Sequence, residues 1–350
     1  MKIKLVIIIA LVFSLMACEN EEFTAADFGS TSVFFPFQTP ARTLVLGDYP
    51  LGFNDNDNNG RFEIGVVMSG VIENTQDRRV FFELAPELID PNLLLDIDSV
   101  NVQVLPPSYY TIEQPSPVTI PAGSINGRIP IQLNDAFFND TLSFTGKNQT
   151  HYVIPLRITD FEGLDSLLTG VPIVDNPIKI NPDHWNPAPK DYTLFGIKFM
   201  NKYQGKYLRR GEDVLTNGSG EVTTSTYRAE FVEFDEVIDL ITSGRFDVDY
   251  TNRVRRGELD SPGDVNIELA FNADETCTVT GTGDDPYNVS GSGQFVENGD
   301  EWGGEPRDVI YLDYSYTDAV NNETHAVKDT LVIRNRDVIF EQFTVELTMP

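Results

Sequence analysis

Cysteine is almost absent. Two residues in 350, Cys18 and Cys277, cannot make a disulfide framework or a four-ligand zinc site. Histidine is as scarce: His151, His184 and His325 show no His-x-x-x-His or other ligand spacing. Cations are few, 25 Lys and Arg against 54 Asp and Glu, giving a net charge of −29 and a pI near 4.3. That balance excludes nucleic acid as a partner, because counterion release at phosphates needs clustered cations. No Gly-x-Ser-x-Gly elbow and no phosphate loop occurs. Beyond the first 17 residues no apolar run reaches the ~20 residues of a membrane span. With 54 acids some carboxylate pair always looks suggestive, Asp247 with Asp249 for instance, so pairs alone do not indicate a glycosidase. The chain is expected not to be an enzyme and to carry no cofactor.

What is abundant is strand and turn chemistry: 26 glycines and 21 prolines beside 23 phenylalanines and 13 tyrosines. Turn formers paired with strand formers predict an all-β protein, and the length predicts two domains. From Ser32 short alternating runs are predicted as strands near 33–37, 43–46, 62–69, 79–84, 110–113, 118–120, 128–133 and 152–159. They form an antiparallel β-sandwich over residues 31–180, with one or two helical turns over Leu88–Leu95. Residues 181–190, with Pro182, Pro187 and Pro189, read as a stiff linker in which Trp185 docks the two domains. Residues 191–350 are the second domain. Phe195, Phe199 and Tyr203, spaced by four, predict a helix over 193–203. Strands are expected near 206–210, 227–234, 265–271, 277–281, 288–296, 309–316, 325–333 and 338–347. Eight is the number that closes an up-and-down barrel. Asp235–Thr242 is read as a short helix beside it.

The chain opens with Lys2 and Lys4, an apolar run from Leu5 to Phe13, and a small residue before Cys18, which describes an export signal over residues 1–17. Leu15-Met16-Ala17-Cys18 resembles the bacterial lipobox, which implies lipidation of Cys18 as the membrane attachment. Glu19-Asn20-Glu21-Glu22 resembles the surface-export tag of Bacteroidota lipoproteins. Residues 18–30 are then an acidic tether, and the protein is expected on the outer membrane, facing the exterior.

Further resemblances concern the domains. Phe62-Glu63-Ile64, Ser69-Gly70-Val71, Asn74-Thr75-Gln76-Asp77-Arg78, Val118-Thr119-Ile120-Pro121-Ala122-Gly123-Ser124 and Tyr152-Val153-Ile154-Pro155-Leu156-Arg157-Ile158 follow one another in order. This run resembles the N-terminal domain of Bacteroidota surface lipoproteins known as domain of unknown function 1735. That implies an Ig-like sandwich, often tied to polysaccharide utilisation, with no catalytic residues to carry over. The second half looks like the small barrel that follows that sandwich, domain of unknown function 5627. Its opening, Lys202-Tyr203-Gln204-Gly205-Lys206-Tyr207, resembles the first lipocalin signature, with Tyr207 where Trp is usual. The lipocalin arginine near the last strands is Arg334 or Arg336. The fold class expected is an Ig-like antiparallel β-sandwich followed by a lipocalin-like eight-stranded β-barrel.

Candidate ligand contacts are aromatic rings with polar neighbours, the chemistry that meets a sugar's apolar face and its hydroxyls. Trp302 in Glu301-Trp302-Gly303-Gly304, Tyr287 in Asp285-Pro286-Tyr287-Asn288, and the Tyr109-Tyr110 pair qualify. Asp55-Asn56-Asp57-Asn58-Asn59-Gly60 matches the start of an EF-hand loop, with Asp55, Asp57 and Asn59 as calcium ligands. Its twelfth position, however, is Val66, and the alternative is an ordinary Asn/Asp turn. The one basic run is Lys198, Lys202, Lys206, Arg209 and Arg210. The expected function is glycan binding at the cell surface. The rivals are an adhesive module for partner proteins and a small-ligand carrier with inward barrel residues such as Phe231 or Phe271.

Overall fold

The computed structural model describes residues 28–49, 51–90, 94–96, 101–144, 149–256, 259–338, 341–342 and 345–347. The signal sequence, Cys18 and the tether as far as residue 27 lie outside the described residues.

Most of the N-terminal strands are short and stop within two residues of a Gly, Pro, Asn or Asp, residues that break ladders and favour turns. They are β1 (Ser32–Phe34), β2 (Pro40–Val45), β3 (Arg61–Ser69), β4 (Arg78–Leu84), β5 (Leu94–Asp96) and β6 (Gln103–Val104). Then follow β7 (Tyr110–Ile112), β8 (Val118–Ile120), β9 (Asn126–Leu133), β10 (Tyr152–Glu162), β11 (Ser166–Leu167) and β12 (Tyr192–Met200). One sheet has the order β11-β1-β3-β9-β7, the other β2-β12-β10-β4-β8. Alternate residues face inward from both, so that Ile64, Val66 and Met68 of β3 share one core with Ile154, Leu156 and Ile158 of β10. Pairing is antiparallel except for β1 with β11, β6 with β10 and β2 with β12.

Two expectations change here. Residues 193–203 are not a helix: β12 hydrogen-bonds to β10 on one side and β2 on the other, inside the second of these sheets. A spacing of four also fits a strand's period of two, and Phe195, Ile197 and Phe199 do point together into the sandwich. Tyr192 and Leu194 fill a second cluster on the sheet's other face, with Val102 and Val153. Burial on both faces removed the polar alternation that marks a strand. The Pro-rich stretch is a folded loop. Trp185 donates its indole N–H to the Ile178 carbonyl at 2.9 Å, and Lys179 packs over its ring while pairing with Asp191 at 2.7 Å. Trp185 thus packs onto its own loop.

The C-terminal part is a closed eight-stranded antiparallel barrel. Its strands are β13 (Gly205–Asn217), β15 (Glu236–Thr242), β16 (Asp247–Arg256), β17 (Leu259–Phe271), β18 (Thr276–Gly281), β19 (Ser290–Trp302), β20 (Glu305–Asp318) and β21 (Glu323–Asn335), with β14 (Val222–Tyr227) as an extra arm. β13 pairs along its length with β21, which closes the wall. On its other edge it pairs with β15 through Arg209 and with β14 from Gly211 onward. The strand count agrees with the expectation but the members differ. Residues 236–242, expected as a helix, are β15, and residues 247–256 are β16. Residues 228–234 leave the wall, and the tail returns to the sandwich, as β22 (Glu341–Gln342) on β2 and β23 (Val345–Leu347) on β5.

The barrel is narrow and filled. Tyr203 stacks on Phe271 at its base with ring centroids 3.7 Å apart, and Tyr207, Tyr250, Tyr314 and Tyr316 are buried above. Gly291 and Gly293 of β19 make room for them. A Cβ at Gly293 would lie 2.5 Å from Leu312, 2.6 Å from the Tyr311 carbonyl and 2.8 Å from Cys277 Sγ. Gly293→Ala should therefore destabilise the barrel by about 2 kcal/mol through overpacking, read as a lower denaturation midpoint at unchanged m-value. An unchanged midpoint would show that the wall gives way freely. Burial pushes the Cys277 thiol up to about 12, which leaves it a small apolar packing group.

Candidate functional site

Seven residues of β15 must cover part of a wall where β16 has ten, and the two pair only at Ile241 with Asp249 and Thr242 with Val248. Beyond that point they diverge. The opening is a cleft of about 460 Å³ lined by Glu236, Val237, Asp239 and Ile241 on one bank and Asp249, Thr251 and Arg253 on the other. Asn266 and Thr282 lie along it, and Ile238 and Tyr250, whose side chains belong to the barrel core, complete its lining. Arg255 closes one end by pairing with Glu236 at 2.5 Å, its guanidinium lying 3.9 Å over the Tyr227 ring.

Just upstream in the chain, Phe231 and Phe234 flank a 3₁₀ turn over Val232–Phe234. They are 54% and 73% exposed and sit edge to face, 6.4 Å apart. Phe234 lies two residues and Phe231 five residues before Glu236, and Val232 between them packs on Leu208, Val309 and Val332. The floor of the cleft, with its carboxylates, guanidinium, amide and hydroxyls, offers both donors and acceptors. The carboxyls of Asp247, Asp249 and Glu268, on the outward faces of β16 and β17, all lie above the usual carboxylate range. Burial raises each of them first, and for Asp247 and Glu268 neighbouring negative charge adds to it.

Inside the barrel the polar groups serve one another. Arg209 is 1% exposed and pairs with Asp329 at 2.9 Å. It also donates to Asn252 at 2.5 Å and to the Tyr227 hydroxyl at 3.3 Å. Nearer the far end His325 Nδ1 meets Asp213 at 2.9 Å, and Tyr316 stacks on the imidazole at 4.3 Å while donating to the same carboxylate. Arg256 bridges Asp318 and Glu323 beside them. Such an interior does not resemble an apolar calyx. Phe271 does point inward, whereas Phe231, expected inside, is on the surface.

The residues expected to touch ligand are scattered. Trp302 is half-buried on Leu208, Val309 and Val332, gives its indole N–H to the Ile333 carbonyl at 2.9 Å, and is covered by Arg307 at 4.4 Å. Tyr287 packs edge-on against Tyr316 at the barrel's far end. Tyr110 is buried in the sandwich core, and Tyr109 donates its hydroxyl to Asp140 at 2.8 Å. Neither ring of this pair is a free platform. Asp55–Asn58 is a short helix, α1, in place of a calcium-type loop or plain turn. Asp57 points inward and accepts from Arg42 at 2.6 Å and from the Val45 amide at 2.9 Å, while Asn59 folds its amide back onto the Asp55 carbonyl. Among the described residues no group of three or more His, Cys, Asp or Glu side chains is arranged to hold a metal. The basic run also splits: Arg209 lies inside the barrel, Lys202 pairs with Glu275, Lys206 with Asp337 and Arg210 with Asp235.

The family model of a domain of unknown function (DUF5627) matches residues 202–337, and a second model, described as an N-terminal domain, matches residues 28–165. No curated protein matches the chain. A crystal structure of a protein of unknown function from Bacteroides ovatus is 33% identical, covering 91% of this chain and 99% of its own, with a TM-score of 0.83. The chain belongs to that protein's family. The DUF5627 match begins at Lys202, just after β12, and ends at Asp337, just beyond β21. The cleft therefore lies wholly within the residues that match DUF5627. An auxiliary nutrient binding protein from Bacteroides thetaiotaomicron is also similar, at 15% identity over 86% of this chain and 95% of its own. Its TM-score is 0.38.

Proposed function

We propose that this is a non-catalytic lipoprotein of the outer membrane, anchored through Cys18 and facing the cell exterior, that binds carbohydrate with its DUF5627 barrel as part of a polysaccharide-utilisation system. Its N-terminal half is read as a domain of unknown function 1735. The anchor rests on Leu15-Met16-Ala17-Cys18 and the acidic residues after it. The binding reading rests on one observation, the splayed polar β15–β16 cleft, and the bare Phe231–Phe234 pair on the segment that leads into β15 supplies exposed rings. Sugars ask for that combination: a flat apolar surface for the ring's C–H face, and a polar trough in which each hydroxyl finds a partner.

A glycan array on the mature chain should show retention of at least one polysaccharide class, and Phe231→Ala with Phe234→Ala should weaken it by about ten- to a hundredfold. Trp302→Ala should leave it unchanged. Retention that ignores the phenylalanines, or silence across plant, host and microbial glycans, rejects the reading and favours a protein partner. Separately, labelling with a palmitate analogue in a bacterial host should mark the wild type and not Cys18→Ala.

A further inference from the structure

We propose that the cleft accepts uncharged glycans and turns away polyanionic ones, and that Asp249 with Glu268 is the discriminating pair. This rests on the glycan reading above and adds the class of sugar to it.

The argument is one of placement. Asp249 lines the cleft, and Glu268 stands directly opposite it in the β16–β17 register, at the spacing where cross-strand side chains touch. Asp247 lies two residues from Asp249 and so shares its outward face. On the other bank stand Glu236 and Asp239. Arg253 is the single guanidinium among the lining residues, and Arg255, at the end of the cleft, pairs with Glu236 and lies over the Tyr227 ring. The three carboxyls on β16 and β17 already resist ionisation, chiefly through burial. A uronate or sulfate entering the cleft would meet the same poor solvation and, in addition, their charge. A neutral sugar meets neither obstacle. Its hydroxyls can donate to Asp249 and accept from the Asn266 amide N–H, while the Thr251 hydroxyl is donated to the Asn266 oxygen at 3.0 Å.

The chain's overall −29 also repels polyanions, so the local pair must be separated from the global field. At physiological ionic strength charges beyond ~8 Å are largely screened. Asp249→Asn with Glu268→Gln alters only two charges, both beside the cleft, in near-isosteric form.

The test compares dextran, galactomannan and arabinoxylan with their own carboxymethylated derivatives, by affinity electrophoresis and titration calorimetry of the mature chain in 0.15 M salt. The derivative of whichever polymer binds should be weaker by about tenfold or more, and the double variant should narrow that ratio to about threefold. Equal affinity for a polymer and its carboxymethyl form, or a ratio that the double variant leaves at the wild-type value, overturns the selectivity while the glycan reading stands. Binding by none of the polymers, neutral or charged, sinks both.

Discussion

Arg209→Met should lower the barrel's unfolding midpoint by roughly 10–20 °C. The guanidinium lies in the middle of the barrel, contacting Asp329 twice from Nε and Nη2, at 3.1 and 2.9 Å. Tyr227 and Tyr314 both donate to that carboxylate, and Asn252 ties Tyr314 back to Arg209. Burial, the largest single influence, works against the charge on Arg209, but Asp329 together with Tyr314, Tyr227 and Tyr250 outweighs it, and the pKa rises well above the arginine range. Methionine fills similar volume and leaves Asp329 ionised, buried and without its counterion. Breaking one side of such a pair costs about 3–5 kcal/mol, a large part of a domain's 5–15 kcal/mol. Replacing both partners, Arg209→Met with Asp329→Leu, removes the stranded charge and should recover more than half of the loss, although Tyr227 and Tyr314 then lose an acceptor. Calorimetry on the two single variants and the double variant decides it. A single variant within 1 kcal/mol of wild type, or a double variant that merely sums two losses, would mean the ion pair is not what holds the wall together.

The same cluster shows what a one-dimensional pattern conveys. The alternation along residues 310–316 is plain, since inward Ile310, Leu312, Tyr314 and Tyr316 interleave with Tyr311, Asp313 and Ser315, whereas residues 206–210 break it with Arg209 inside and Leu208 outside. β15 reads as a helix in the sequence for a local reason. Val237, Leu240 and Ile241 fall at helical spacing because two of them, Val237 and Ile241, are apolar on the outside, where they line the cleft. The feature that gives the barrel an outward-facing trough is thus the one that hid the strand. β12 failed in the opposite way, being apolar on both faces because two clusters of the sandwich cover it. Within the expected strand 338–347, the described pieces β22 and β23 are strand, but their partners are β2 and β5, some 300 and 250 positions back. No local pattern reports a pairing of that range.

Site residues were harder still. Glycines after Trp302 suggested a bare indole, yet Arg307, which covers it, sits across a β19–β20 turn that the sequence does not distinguish from a loose loop. Asp57 looked like a metal ligand from its spacing to Asp55 and Asn59, but its side chain answers to Arg42, across the space between α1 and β2. Phe231 and Phe234 were legible as aromatics and not as a surface pair, because three-residue spacing acquires meaning only once the segment is known to be a 3₁₀ turn. Arg334 and Arg336 were indistinguishable until burial separated them, with Arg334 exposed and Arg336 only 5% exposed.

Arg336→Ala should uncouple the two halves of the molecule. Its side chain lies where the barrel base meets the sandwich and donates to four main-chain carbonyls. Nε reaches Gln204 at 2.8 Å, Nη1 reaches Asp48 at 2.9 Å, and Nη2 reaches Leu46 at 3.0 Å and Asn201 at 2.7 Å. Two of those carbonyls belong to the loop after β2 and two to the turn between β12 and β13, so one planar group fastens both units to the end of the last barrel strand. The approach is close enough that a Cβ at Gly47, whose φ is +84°, would lie 2.2 Å from Lys202 Cβ. Each carbonyl left buried without a donor costs about 1–3 kcal/mol, less where water can enter, for a total of roughly 3–5 kcal/mol. The guanidinium's fork is what spans four acceptors, so Arg336→Lys should restore less than half of that. In calorimetry the variant should replace one unfolding transition with two, the barrel melting roughly 10 °C below the sandwich, because the tie that made them melt together is gone. A single transition displaced by less than 2 °C would show that Asp135 with Arg245 and the returning strands β22 and β23 hold the junction without it.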